Sequence, residues 1–158
     1  MWKRIRRDLG KTGESFWIPG NPEIKEEGNR MERREIYTKI TGKAEAMKQE
    51  LVKIRRDFHR YPELGWMEMR TSSIIASCLK SFGCDEVLTG RAVCLDEARM
   101  GVPSEEELDQ HYAEAAAWEG TDPEYLPETK GGFTGVIGIL HCGKGPTVAF
   151  RFDIDALP

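Results

Sequence analysis

Apolar residues at Ile36, Ile40, Met47, Leu51, Ile54 and Phe58 recur at intervals of three, four and seven, one stripe of an α-helix over 32–59. The remaining positions of this stretch are largely Lys, Glu and Arg, a solvated face. Pro62 and Gly65 interrupt the pattern, so 60–66 reads as a structured turn. A second helix fits 69–82, with Ile74, Ile75, Cys78, Leu79 and Phe82 on one side and Gly83 placed to end it. The segment 84–89 is a short strand candidate. Ser104, followed three residues later by Glu107, is a capping-box signature opening an acidic helix to about residue 119. Few large apolar residues lie on it, which places it at the surface. A polar loop with Pro123 and Pro127 follows. The runs 133–140 and 147–152, joined by a Gly-rich connection, then predict an antiparallel hairpin. Both runs are apolar at successive positions, as strands buried on two faces of a layered α/β sheet are.

Residues 1–30 show no such period and mix glycines and prolines with charges, including Lys3-Arg4-Ile5-Arg6-Arg7, so they read as a disordered leader with a solvated basic patch. Glu26-Glu27-Gly28 can be encoded by a purine-rich ribosome-binding sequence with Asn29 and Arg30 as its spacer. That suggests a mis-annotated leader and translation starting at Met31. An intact native peptide spanning Trp2 to Arg30, found by mass spectrometry, would exclude that start.

Charge and cysteine content narrow the function classes. The 158 residues carry a formal net charge of −4, with 32% charged and 39% hydrophobic residues, which suits a soluble protein without affinity for nucleic acid. No apolar run approaches the roughly 18 residues of a membrane span, or the secretory core of about 7–15 residues, so the compartment reads as cytoplasmic. Cys78, Cys84, Cys94 and Cys142 form no C-x-x-C pair and are expected as reduced structural thiols. His59, His111 and His141 are too scattered for a local metal motif, and His59 is expected to cap or pack a helix end.

The chemical candidate is Asp153-Ile154-Asp155, after the apolar run 147–152. On a strand these acids share a face about 7 Å apart at the carboxyl end, where open α/β sheets place their chemistry. They can bind a divalent ion or orient an imidazole that does; equally they can be a turn pair, with Arg151 as local counter-charge for Asp153. An aspartyl phosphotransferase is disfavoured because Ala156-Leu157-Pro158 stands where Gly and Thr are needed. Glu63 and Glu68 flank the first turn and are expected to accept backbone amides, with Arg70 pairing with one of them. Gly132 and Gly135 are expected to permit a bend or close backbone approach.

Three segments in order, Arg55-Arg56-Asp57-Phe58-His59-Arg60-Tyr61-Pro62-Glu63-Leu64-Gly65-Trp66, Gly132-Phe133-Thr134-Gly135-Val136 and 150–158, resemble landmarks of the metal-dependent amidohydrolases that include aminoacylases, hippurate hydrolases and auxin-conjugate hydrolases. The stretch between the second helix and the strands, with Gly90-Arg91-Ala92-Val93, 98–103 and Ser104-Glu105-Glu106, is similar to a subgroup acting on p-aminobenzoyl-glutamate. The resemblance implies an α/β fold, with 31–158 as the incomplete amino-terminal portion of a zinc-peptidase-like catalytic domain, helices packed on a mixed sheet. It implies cleavage of an aryl- or acyl–amino acid amide, most closely p-aminobenzoyl-glutamate, with two divalent ions (manganese or zinc) polarising the carbonyl and activating water, and a glutamate as general base. Asp155 matches the acid that supports the metal site two positions after a His ligand. Asp153 stands where relatives place that His, and is not assigned as a ligand. Substrate-binding residues are not identified.

The family's Cys-Gly-His motif, Glu-Glu pair and later His ligands have no counterpart; Cys142-Gly143-Lys144 precedes the Asp-x-Asp segment and ends in Lys. The chain alone is therefore expected to be inactive and to hold no metal. Its implied partners are a small-molecule amide substrate in the parent enzyme and a homologous or carboxyl-terminal partner chain, with no nucleic acid and no membrane. The competing readings are a non-catalytic interaction module using the long helix and an open strand edge, or one half of a split enzyme.

Overall fold

The computed structural model describes residues 26–157. The expected leader therefore lies outside the described residues except for its last five, with which the first helix begins. Helix α1, Glu26–Arg60, is 35 residues long and forms a unit separate from the body that starts at Tyr61. Its stripe is the expected one. Ile36, Ile40, Met47 and Leu51 remain about half exposed, and the polar face carries Glu35–Lys39, Glu45–Lys48 and Glu50–Lys53 ion pairs one turn apart. His59 and Arg60 occupy the last turn, where positive charge complements the helix dipole. No helix among the described residues is long and apolar enough to cross a membrane.

In the body, α2 (Met69–Ser81) ends at Gly83, whose φ of +87° turns the chain. It runs into strand β1, Glu86–Thr89. Two 3-10 turns, Gly90–Ala92 and Asp96–Ala98, lead to α3, Glu105–Ala117. The capping box is present at its start: Ser104 Oγ accepts from Glu107 N, and the Glu107 carboxylate accepts from Ser104 N at 2.8 Å. The Ser104 hydroxyl also donates to the Glu107 carboxylate at 2.7 Å, and this bond, with the one from Ser104 N, holds the Glu107 carboxyl below its usual range. Contrary to the expectation of a purely surface helix, α3 contributes to the core. Leu108 and Ala115, a helical interval of seven, pack with Met69 and Leu126, and Met67, Val102, Tyr112 and Trp118 close the cluster. The polar loop after α3 includes the 3-10 helix Leu126–Thr129 and likewise buries Leu126 and Thr129.

The sheet corrects a second expectation. Strand β2, Val136–Ile139, pairs antiparallel with β1 in the register Glu86↔Ile139 to Thr89↔Val136, and not with 147–152. Bonds from Asp85 N to Ile139 O and from Gly90 N to Gly135 O extend the ladder at both ends. The residues 147–152 form no strand, and Val148, Phe150 and Phe152 are 71–80% exposed. The apolar run suits a strand, but no described residue pairs with it, so the two-faced burial read from the sequence is not realised. Phe133 is buried as expected, yet in the loop before β2; the guanidinium carbons of Arg91 and Arg99 each lie 3.7 Å from its ring centroid. The fold class is α/β, helices against a small antiparallel sheet.

Candidate functional site

The turn before α2 is held from three directions. Met67 N donates to Leu64 O at 2.8 Å, which puts Trp66 at φ +68°. The Trp66 indole N–H donates to Met100 O, and Gly132 lies so close that a Cβ there would sit 3.0 Å from Trp66 O. Gly135 is equally confined: its Cβ would be 2.7 Å from Cys94 Sγ and from Val93 Cγ1. The close approach expected of both glycines is thus what the structure shows.

Glu63 has a fully buried carboxylate. It accepts from Arg70 N (2.9 Å) and Thr71 N (2.7 Å), two donors that the first turn of α2 cannot satisfy within the helix, and it meets His111 Nε2 at 3.1 Å. The expected carboxylate–amide contact is found here. Arg70, however, reaches Glu63 through its main-chain N–H, while its guanidinium donates to Glu119 O and stacks over Tyr61. Glu68 stands at the cap position but does not cap α2. Its carboxylate accepts from Thr134 Oγ1 at 2.6 Å, and Ser72 Oγ donates to Thr134 O. Burial pushes the Glu68 carboxyl above its usual range; hydrogen bonds from Thr134 and its own backbone oppose this, and the charges of Asp155 and Glu63 add to it.

Asp155 is exposed and faces this cluster electrostatically, seated there because Ala156 N donates to Glu63 O at 2.7 Å. Asp153 is not brought to it. It makes a local ion pair with Arg151 at 2.5 Å, both side chains largely exposed, which is the counter-charge arrangement anticipated from the sequence. The strand on which the two acids were to share a face is absent. Among the described residues, no three His, Cys, Asp or Glu side chains converge to hold a metal ion, so the donors around Asp155 do not by themselves fit one. What the arrangement offers is a buried carboxyl that keeps its proton more readily than usual beside an exposed carboxylate.

His111 is the residue that sequence reasoning left unused. Its spacing, between Leu108 and Ala115 at intervals of three and four, puts it on the buried face of α3. Thr134 offers no comparable signal beyond its place in the segment 132–136, because a hydroxyl in a loop has no periodicity.

No family model matches the chain. It is 42% identical over 104 residues to a p-aminobenzoyl-glutamate hydrolase subunit of Escherichia coli (strain K12), covering 65% of this chain and 23% of that protein. It is 43% identical over 109 residues to indole-3-acetyl-aspartic acid hydrolase of Enterobacter agglomerans, covering 68% and 24%. Among solved structures, the aminobenzoyl-glutamate utilization protein from Klebsiella pneumoniae superposes with a TM-score of 0.69 at 40% identity, over 72% of this chain and 29% of that one. The chain spans about a quarter of the length of the curated relatives it matches. In sequence and in fold, the chain is homologous to a segment of the amidohydrolases related to p-aminobenzoyl-glutamate hydrolase.

Proposed function

We propose that the chain is part of a cytoplasmic, metal-dependent amidohydrolase that cleaves p-aminobenzoyl-glutamate to p-aminobenzoate and glutamate, and that the chain alone does not turn over. The observation that carries this is the 42–43% identity to two proteins named for amides of an aromatic acyl group with an acidic amino acid. The charge of Asp155 acting on the buried Glu68 supports a role for Asp155 behind the metal site. The divalent ion, manganese or zinc, which would polarise the carbonyl and activate water, takes its ligands in this reading from outside residues 26–157. Four cysteines free of disulfides are consistent with the cytoplasm.

A second reading, one half of a split enzyme or a non-catalytic interaction module, is favoured by the exposed Val148, Phe150, Phe152 and Leu157, which ask for a covering polypeptide. The two are separated by exchanging residues 61–157 into the Escherichia coli p-aminobenzoyl-glutamate hydrolase in place of its matched segment. The assembled chimera is expected to hydrolyse p-aminobenzoyl-glutamate faster than indole-3-acetyl-aspartate, and the isolated chain with manganese or zinc to hydrolyse neither above a metal-only blank. A folded chimera inactive on both amides would refute the enzymatic reading. Preference for the indole amide would refute the substrate, and turnover by the isolated chain would refute its dependence on further residues.

A further inference from the structure

We infer that His111 is a positioning residue: from α3 it holds the Glu63 side chain, and through the Glu63 main chain it holds the segment end that carries Asp155. Both bonds converge on one residue, His111 Nε2 to Glu63 Oε1 at 3.1 Å and Ala156 N to Glu63 O at 2.7 Å. Residues 143–157 contain no regular structure, and among the described residues the Ala156 bond is the backbone hydrogen bond that ties them to the body. The direction of the Glu63 carbonyl thus decides where Asp155 sits.

The side chain of the same residue is held from two sides. The carboxylate is pinned by Arg70 N and Thr71 N on the α2 side, and His111 closes the α3 side. The imidazole is itself fixed, edge-on to Trp118 with centroids 5.4 Å apart, and Trp118 lies against Tyr61 at the same distance. Without His111 the carboxylate keeps Arg70 N and Thr71 N but loses its hydrogen bond from α3, so Glu63 is held from the α2 side alone.

The contact is also sensitive to pH. Facing His111 are Glu63, Glu114 on its own helix with Oε2 3.9 Å from Nδ1, and the Met67 backbone; of the nearby cations, Arg70 is stacked on Tyr61 and Lys130 lies over Tyr112 and pairs with Asp109. The Glu63 hydrogen bond raises the His111 pKa above its ordinary value, with the Glu63 charge, Met67 and Glu114 adding to it and burial opposing it. A raised folded-state pKa means that the ion pair contributes in full below the ordinary histidine value of about 6.5 and is lost as pH rises through the raised one. The tether is tightest in mild acid and slackens in mild base, where a neutral hydrogen bond replaces the ion pair.

The role of Asp155 rests on the function proposed above, whereas the tether does not, so its test uses no turnover. Amide hydrogen exchange is followed residue by residue in the full chain, normalised for intrinsic exchange. In His111→Ala, Ala156 N–H is expected to exchange about tenfold faster, a loss of the size one hydrogen bond supplies, while amides in the middle of α2 keep their protection. His111→Gln, whose amide can donate to Glu63, is expected to restore most of it. In the wild-type chain, Ala156 protection should fall severalfold from about pH 5.5 to 8, and His111→Gln should show no such fall. Unchanged Ala156 protection in His111→Ala would overturn the inference, as would a Gln variant no better than Ala. If His111→Ala does not fold, the pH comparison of wild type with His111→Gln decides alone: a flat wild-type profile overturns it.

Discussion

Replacing Glu63 by alanine is expected to destabilise the body by about 3–4 kcal/mol, the cost of stranding buried partners of a carboxylate. Three groups lose their acceptor at once: Arg70 N, Thr71 N and His111 Nε2. The first two are helix donors with no alternative inside α2, since Glu68 at the cap position makes no side-chain cap. Water is a poor replacement, because Glu63 is 2% exposed and Arg70 and Thr71 are buried beside it. Against a total stability of about 5–15 kcal/mol for a domain, the loss brings the body close to unfolding. Urea denaturation followed by the fluorescence of Trp66 and Trp118 measures it. Glu63→Gln is expected to lose about half as much: it keeps one acceptor oxygen but turns an NH2 toward a donor. An alanine variant with an unshifted midpoint would show that the carboxylate is not what organises the start of α2.

The elements of the chain and the interior of its body were unequally legible. Helices α1 and α2 could be read from intervals of three and four, and α3 from Ser104 and Glu107, because each signal lies within a few residues of the element it specifies. The pairing of β1 with β2 could not. It joins Glu86 to Ile139 across the whole α3 insertion, whereas the local pattern offered a nearer partner in 147–152. The interior was harder still, because much of it is polar: Glu63, Glu68, Arg70, Thr71, Ser72, Ser73, Thr129 and Thr134 are all buried. A hydrophobic pattern does not register such residues, and each is buried only because a specific partner, such as Thr134 for Glu68, satisfies it. The same limit applies at the acids. Asp153 with Arg151 is a contact between near neighbours and was readable, while the seat of Asp155 depends on Glu63, far away in sequence.

Gly90→Ala is expected to cost about 3 kcal/mol through two separable effects. Gly90 has φ +59°, a conformation that costs an L-residue roughly 1–2 kcal/mol, and its Cβ would stand 2.5 Å from Glu128 O. That neighbour is backbone in the 3-10 helix Leu126–Thr129, so no rotamer change relieves the overlap, and the chain must part by about an ångström at an added cost of about 1–3 kcal/mol. Gly101 supplies the control. Its φ is +66° but nothing lies within 4 Å of its Cβ position, so Gly101→Ala reports the conformational cost alone. The difference between the two variants in urea is then the price of contact, and equal midpoints would refute the close approach. The strain should also reach the acids. Gly90 N donates to Gly135 O, directly after Thr134, and Thr134 Oγ1 is the donor that Glu68 accepts. Parting the chain at Gly90 therefore loosens the hydroxyl that holds Glu68 beside Asp155, so Thr134 and Gly135 amides should lose protection in Gly90→Ala and keep it in Gly101→Ala.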